Sequence, residues 1–272
     1  MAGYNNSKHA IAIVNGATRI DSVKLVGVGC VNWFATGRMR HLLNKYGFWN
    51  AWAKLKNILA ENPQSDYYEE TRYITDYLVT QGVEARTLSG ICNRLSIHFL
   101  QLRSVNEDLW LEWLKANEVD LLIYSGGGIL SKKTLEALRI GALNSHGGPL
   151  PFFRGMNGLE WSLAYGVQPE ITVHIIDRGI DTGPILKREL LNIEDGDNIS
   201  RLRGKSVVKE VECLIAVIQN FEEYYKNQQI QEKEDGLQFF VMHQYLNELL
   251  DRKLNAGWRP RILAKNFHFP RK

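Results

Sequence analysis

Apolar positions along the chain fall into two rhythms, short unbroken runs and stripes of helical period. The clearest run is Val119–Ser125, V-D-L-L-I-Y-S, closed by Gly126-Gly127-Gly128, the pattern of a buried strand that ends in a turn. His9–Val14 and Ser22–Val31 read as two further β-rich runs after a polar start, Met1–Lys8, that is expected to fray. Val83–Leu88, Ile140–Leu143, Ile171–Leu186 and Glu189–Ile193 supply the remaining strands. Helical stripes occupy Ser65–Gln81, Ser89–Leu100, Val105–Asn117, Ser131–Leu138 (with Ser131 at the N-cap) and Ser200–Phe221. Trp33–Pro63 has helical period too and reads as an amphipathic insert, a sheet cover or a lid. Lys226–Asp235 is polar and expected to be exposed, Gln238–Leu254 reads as strand then helix, and Asn255–Lys272 is a basic tail.

Strands alternating with helices predict an α/β fold: an open, mostly parallel sheet with helices on both faces. The expected organisation is a catalytic domain over 1–195, with the helical insert at about 33–63, and a short α+β, mainly helical extension over 196–272 packed on it. The apolar runs are not followed by G-x-G-x-x-G, so a nicotinamide or flavin reading lacks its fingerprint. Gly204-Lys205-Ser206 imitates the end of a phosphate-binding loop, but Ile199 stands where that loop needs its first glycine.

The totals narrow the class. The 272 residues are 44% hydrophobic and 23% charged, with a formal net charge of +3, which suits a globular protein and demands no nucleic acid. Cys30, Cys92 and Cys213 lie far apart and form no C-x-x-C, as for thiols in a reducing compartment. Ala10–Val14 is too short for a signal-peptide core, and no run approaches the roughly 20 apolar residues of a membrane helix. A cytoplasmic protein, with no membrane partner, is the expectation.

The chemistry gathers in two stretches. The first begins I-G-A-L-N-S-H-G-G-P-L-P-F-F-R-G at Ile140. Asn144 and His146 sit near the carboxyl end of a strand, where open α/β sheets bind ligands, and two residues apart they share a face. An amide donor beside a titratable imidazole can polarise a carbonyl and move a proton. The second stretch, I-D-R-G-I-D-T-G-P-I-L from Ile176, places Asp181 between Gly179 and Gly183, where a carboxylate could orient the ring of His146.

Together, N-x-H-x-x-x-L-P-x-[FY]-R-G and I-D-x-G-I-D-T-G-P-I-L resemble the folate-dependent formyltransferase family, strongly from about Asp120 to Glu189. That family includes methionyl-tRNA formyltransferase, glycinamide ribonucleotide transformylase and sugar N-formyltransferases. One departure is Gly147-Gly148, where the family commonly has Pro-Ser; the spacing is unchanged. The resemblance implies a Rossmann-like fold and N10-formyltetrahydrofolate as cosubstrate, with no metal. It also implies Asn144, His146 and Asp181 as the catalytic set. Folate contacts are expected at Gly126, Gly127, Gly128, Ile129, Leu130, Asp177, Gly179 and Ile180, mostly through backbone groups. Arg154, Asn157 and Trp161 are candidates for touching the acceptor, and His174 for a supporting role.

The expected acceptor is a small-molecule primary amine, first a nucleotide-linked amino sugar, which aromatic faces suit by stacking. Methionyl-tRNA and glycinamide ribonucleotide are the alternatives within the family. A formyltetrahydrofolate hydrolase and a catalytically silent folate- or nucleotide-binding module are the rivals outside transfer. A homo-oligomer is open.

Overall fold

A computed structural model describes residues 1–32, 66–263, 267 and 269. The aromatic insert expected at 33–63 lies outside the described residues. Two strand sets make one twisted sheet. The first is β1 (Ala2–Gly3), β2 (Val28–Val31) and β3 (Phe99–Leu102), all parallel. The second is β4 (Leu121–Ile123), β5 (Gly141–His146), β7 (Glu170–Ile176) and β8 (Ile185–Leu190) in that order. A parallel bridge between Ala2 and Tyr124 joins the sets, giving β3-β2-β1-β4-β5-β7-β8. β4 and β5 are parallel, and β7 and β8 return antiparallel at one edge.

Alternation along the strands sends side chains to two apolar layers. Leu121, Ile123 and Leu143 face one layer, built from α1 (Lys8–Ala17), α2 (Asp66–Thr80), α3 (Leu88–Arg94) and α7 (Ile199–Gln219). Leu122, Ala142 and Leu102 face the other, built on Trp110, Leu111 and Leu114 of α4 (Asp108–Ala116) and on Ala137 and Leu138 just past α5 (Lys132–Glu136). Helices cover both faces, as the strand–helix alternation implies.

Several boundaries differ from the sequence reading. His9–Val14 is not a strand but the body of α1, capped by Ser7, whose side chain accepts from Ala10 N–H. Its residues are apolar all round because α1 is wedged between the sheet and α7, and such a run does not show its period. The first strand instead lies in the segment expected to fray, where Met1 and Ala2 are buried. Of Ser22–Val31, only Val28–Val31 is strand. Val83–Leu88 forms no strand; Thr87 caps α3 there. The helix expected over Ser89–Leu100 stops at Arg94, and Phe99–Leu102 becomes β3. The last strand of the sheet is Ile185–Leu190 rather than Glu189–Ile193.

The chain then returns to the segment that follows β5. β6 (Phe153–Gly155), which leads to α6 (Gly158–Ala164), pairs in parallel with β9 (Leu237–Phe239). α8 (Phe221–Lys226) and α9 (Gln244–Asn255) flank that return, and Leu250 and Leu254 of α9 pack with Leu159 and Leu163 of α6. All three cysteines are buried free thiols. No helix among the described residues is long and apolar enough to cross a membrane.

Candidate active site

Asn144 and His146 are the final residues of one face of β5, inside the strand rather than beyond it, paired with His174 and Thr172 of β7. The loop between β7 and β8 carries Asp181 over them. Asp181 adopts a left-handed backbone, φ 53°, which an aspartate tolerates better than most residues. Asp177 shapes that loop, its Oδ1 accepting from Gly179 N–H at 3.0 Å and Thr182 Oγ1–H at 2.7 Å. Gly183 is obligatory, because a Cβ there would lie 1.9 Å from the carbonyl oxygen of Ile175.

Four polar side chains converge. Asp181 Oδ2 is 3.5 Å from His146 Nδ1, and Oδ1 is 3.5 Å from His174 Nε2. Gly155 N–H donates to Asp181 Oδ2 at 2.8 Å. His146 donates through Nε2 to the Phe153 carbonyl at 2.7 Å, which leaves Nδ1 as the basic nitrogen. His174 Nδ1–H donates to the Ile175 carbonyl at 3.0 Å, so its Nε2 accepts from Asn144 Nδ2–H at 3.2 Å. Both imidazoles face the carboxylate, and that of His174 also orients the amide.

The charges follow from the surroundings. Burial lowers the pKa of His146, outweighing the pull of Asp181 the other way, so its ring is neutral at pH 7. Burial opposes the charge on Asp181, but His146 and the Gly155 N–H hold its carboxyl well below the usual carboxylate range. A neutral base beside a fixed carboxylate is set to take up a proton: the imidazolium so formed gains an ion pair that the neutral ring lacks.

The remaining predicted residues divide. Gly126, Gly127 and Gly128 all have left-handed backbones, with φ of 109°, 131° and 107°. Nothing lies within 4 Å of the place a Cβ would take on Gly128, and Ile129 next to it is 76% exposed. The turn is a glycine cradle open to space at Gly128 only, since a Cβ on Gly127 would meet Val105 at 2.7 Å and one on Gly126 would meet Tyr4 at 3.0 Å. Leu130 turns its side chain into the core. Asp177 and Gly179 are exposed on the neighbouring loop, with Ile180 half-buried.

Arg154, Asn157 and Trp161 bind the returning C-terminal segment. The buried Arg154 guanidinium donates to Gln231 Oε1 and the Glu232 carbonyl. Asn157 Oδ1 accepts from Met242 N–H, and Trp161 Nε1–H donates to the Phe240 carbonyl. The physical reason is the β6–β9 pairing, which brings 231–242 against the motif. Gln231, in a stretch expected to be exposed, is buried and donates to the Asp181 and Gly183 carbonyls. Nothing in the sequence near Gln231 signals this role; only the return of the chain creates it.

An α/β protein with acid–base side chains at the carboxyl edge of a parallel-dominated, Rossmann-like sheet is the class that fold and site define. Residues 55–218, more than half of the chain, match the family described as formyl transferase, and the chain belongs to that family. It is 31% identical over 140 residues to methionyl-tRNA formyltransferase of Thermodesulfovibrio yellowstonii, covering 51% of this chain and 46% of that protein. It is 38% identical over 105 residues to phosphoribosylglycinamide formyltransferase of Mycobacterium tuberculosis, covering 38% and 49%. The chain thus spans about half the length of the curated relatives it matches. A phosphoribosylglycinamide formyltransferase structure from Anaplasma phagocytophilum shares the fold, with a TM-score of 0.55 and 17% identity over 88% of this chain and 97% of that one. A second, from Bacillus halodurans, does so at 0.54 and 16%, over 83% and 96%.

Proposed function

We propose that the protein moves a formyl group from N10-formyltetrahydrofolate to a primary amine. The observation that carries this reading is the convergence of Asn144, His146 and Asp181 on the strand next to the glycine cradle that opens at Gly128. The folate is a cosubstrate, and the cradle at Gly126–Leu130 with the loop at Asp177–Ile180 would hold it.

The amine attacks the formyl carbon, the oxygen gains negative charge, and a proton must reach the departing folate nitrogen. Asn144 would offer an amide N–H to that oxygen. Its other N–H is engaged by His174, so the amide cannot flip to present its carbonyl. His146 would take the amine's proton at Nδ1 and be stabilised as imidazolium by Asp181. The proton then passes to the leaving nitrogen.

For the acceptor, a nucleotide-linked amino sugar is the first reading, motivated by the aromatic insert at 33–63 and the near-balanced charge. Glycinamide ribonucleotide is the second, favoured by the 38% identity to a phosphoribosylglycinamide formyltransferase over 105 residues. The test is release of tetrahydrofolate on incubation with formyl donor and, in turn, a nucleotide-linked amino sugar, glycinamide ribonucleotide and methionyl-tRNA. Release with one amine names the acceptor. Formate production with every addition favours a hydrolase. No consumption of donor, with donor binding intact, rejects catalysis. Asn144→Ala and His146→Ala should each lower kcat by about a hundredfold or more while donor affinity is kept; unchanged rates in either would reject the mechanism.

A further inference from the structure

A charged cluster lies behind the turn that leads into α6. Glu160, in the first turn of that helix, is 2% exposed, which is rare for a carboxylate unless it is paired. Its Oε1 accepts from Arg203 Nε–H at 2.6 Å and from Asn157 Nδ2–H at 2.8 Å. Arg203, on α7, also donates through Nη1 to Glu70 Oε1 of α2 at 2.8 Å. One guanidinium thus ties three helices together and offsets the burial of the Glu160 charge.

Asn157 links that cluster to the catalytic ring. Its backbone is left-handed, φ 57°, a conformation that must be held in place in a residue other than glycine. The side-chain amide is gripped at both ends: Nδ2–H donates to Glu160, and Oδ1 accepts from Met242 N–H at 3.1 Å. Gly158 follows directly. A Cβ on it would lie 2.8 Å from His146 Nε2, 2.9 Å from the Gly147 carbonyl oxygen and 3.1 Å from Gly148 Cα. A Cβ on Gly148 would meet the same ring nitrogen at 2.8 Å and Gly158 Cα at 2.9 Å. The Nε2 edge of the imidazole therefore rests against two bare stretches of backbone that leave no room for a methyl group. This close approach is a physical reason for glycine at 148, where the resembling family commonly has serine.

We infer that Glu160 is a positioning residue for His146: by holding Asn157 it presses the Asn157–Gly158 turn against the ring and keeps Nε2–H on the Phe153 carbonyl, so that Nδ1 stays the base. The inference rests on the formyl-transfer reading for what that base does. If the turn slackens, the ring is free to tilt away from Asp181 and to gain water. Both consequences act on the proton step and not on the binding of either substrate. Among the described residues, the groups that face His146 are Asp181, 3.5 Å from Nδ1, and His174, which meets the same carboxylate. Those that face Glu160 are Arg203 and, beyond it, Glu70. Burial lowers the pKa of the His146 ring against the pull of Asp181, so a ring that gains water titrates at higher pH.

The test compares wild type with Glu160→Leu, which fills the space but removes the acceptor, and with Glu160→Gln, which keeps an oxygen for the Asn157 amide. Rates are followed across the acid limb of the pH profile with the amine that the panel above identifies. The His146 ring is titrated by NMR, its signal assigned by its loss in His146→Ala. Glu160→Leu should lower kcat by up to about a hundredfold, the scale of a misplacement of roughly 1 Å, with both KM values kept. The His146 midpoint and the acid limb of the rate should move together to higher pH. Glu160→Gln should restore most of the rate and return the midpoint toward that of wild type. Asn157→Asp leaves the Arg203 pair in place but sets a second carboxylate against Glu160, and it should repeat the Glu160→Leu result without removing the buried charge. A Glu160→Leu protein that is less stable but has an unmoved His146 midpoint overturns the inference, as does a loss in Glu160→Gln equal to that in Glu160→Leu, or wild-type behaviour of Asn157→Asp. The titration needs no turnover. A wild type that releases no tetrahydrofolate with any amine sinks the transfer reading, while a raised His146 midpoint in Glu160→Leu still upholds the positioning. A wild type that turns over, with the midpoint unmoved in Glu160→Leu, sinks this inference alone.

Discussion

Single atoms decide the candidate site. His146 and His174 are chemically the same side chain, yet each is fixed by a different backbone carbonyl. Phe153 takes the Nε2 proton of the first, and Ile175 takes the Nδ1 proton of the second. One ring is left with a basic nitrogen toward Asp181 and the other with an acceptor toward Asn144. His174 is therefore a positioning residue. His174→Ala should lower kcat about a hundredfold, the low end of the range for losing an oxyanion donor, with unchanged donor KM. Replacement by Gln should recover part of the loss, because its carbonyl can accept from the Asn144 amide. An equal rise in KM, or no rescue, would show that the ring acts only in packing. The sequence exposed Asn144, His146 and Asp181 as motif members. It could not assign nitrogens, because those depend on carbonyls of residues 1 and 7 positions away that only the folded strands aim.

Among the elements, the informative pairing is β6 with β9. A three-residue strand from the motif meets a three-residue strand from the C-terminal segment, and Arg154, Asn157, Trp161 and Gln231 sew the two together. Asp181 depends on this seam, since Gly155 N–H and Gln231 Nε2–H both hold it. Arg154→Met should remove the donors to Gln231 and Glu232 and destabilise the fold by about 1.5–3 kcal/mol, the scale of hydrogen bonds to a charged group. Urea midpoints would measure this, and activity should fall with it because Asp181 loses its lateral support. Unchanged stability would mean that the seam is held by the aromatic cluster of Phe153, Phe239 and Phe269 instead. Long periodic helices such as α7 were legible from their stripes. α1 was not, since burial on every side erased its amphipathic signature.

At the scale of the molecule, buried titratable groups couple the site to stability. Glu210 has its pKa raised to about 7 in the folded state. Such a group binds its proton first in the folded protein, so its contribution is fully present below the unfolded value and is lost as pH rises through about 7. His9, lowered to about 4, works the other way and destabilises as pH falls from about 6.5. Asp181, also lowered, contributes above the ordinary aspartate value and loses that contribution on further acidification. The two neighbours His9 and Glu210 thus offset one another between pH 7 and 4. Glu210→Gln should remove one side of the balance, so its urea midpoint should fall more steeply on acidification than that of wild type. Parallel curves would show that Glu210 does not titrate in this window.

The chain's residues alone determined the class of fold, the strand before the triple glycine, the long helices, and the identity of the amide, imidazole and carboxylate that meet. Those follow from local pattern and from motif spacing, which are properties of neighbouring residues. Tertiary structure alone decided that β1 starts at the N-terminus and that α1 is helix. It decided too that Gln231 guards Asp181 and that His9 meets Glu210 some 200 positions later. Each is a contact between distant segments, set by which surfaces are left to be buried once the sheet has formed, and no local pattern encodes it.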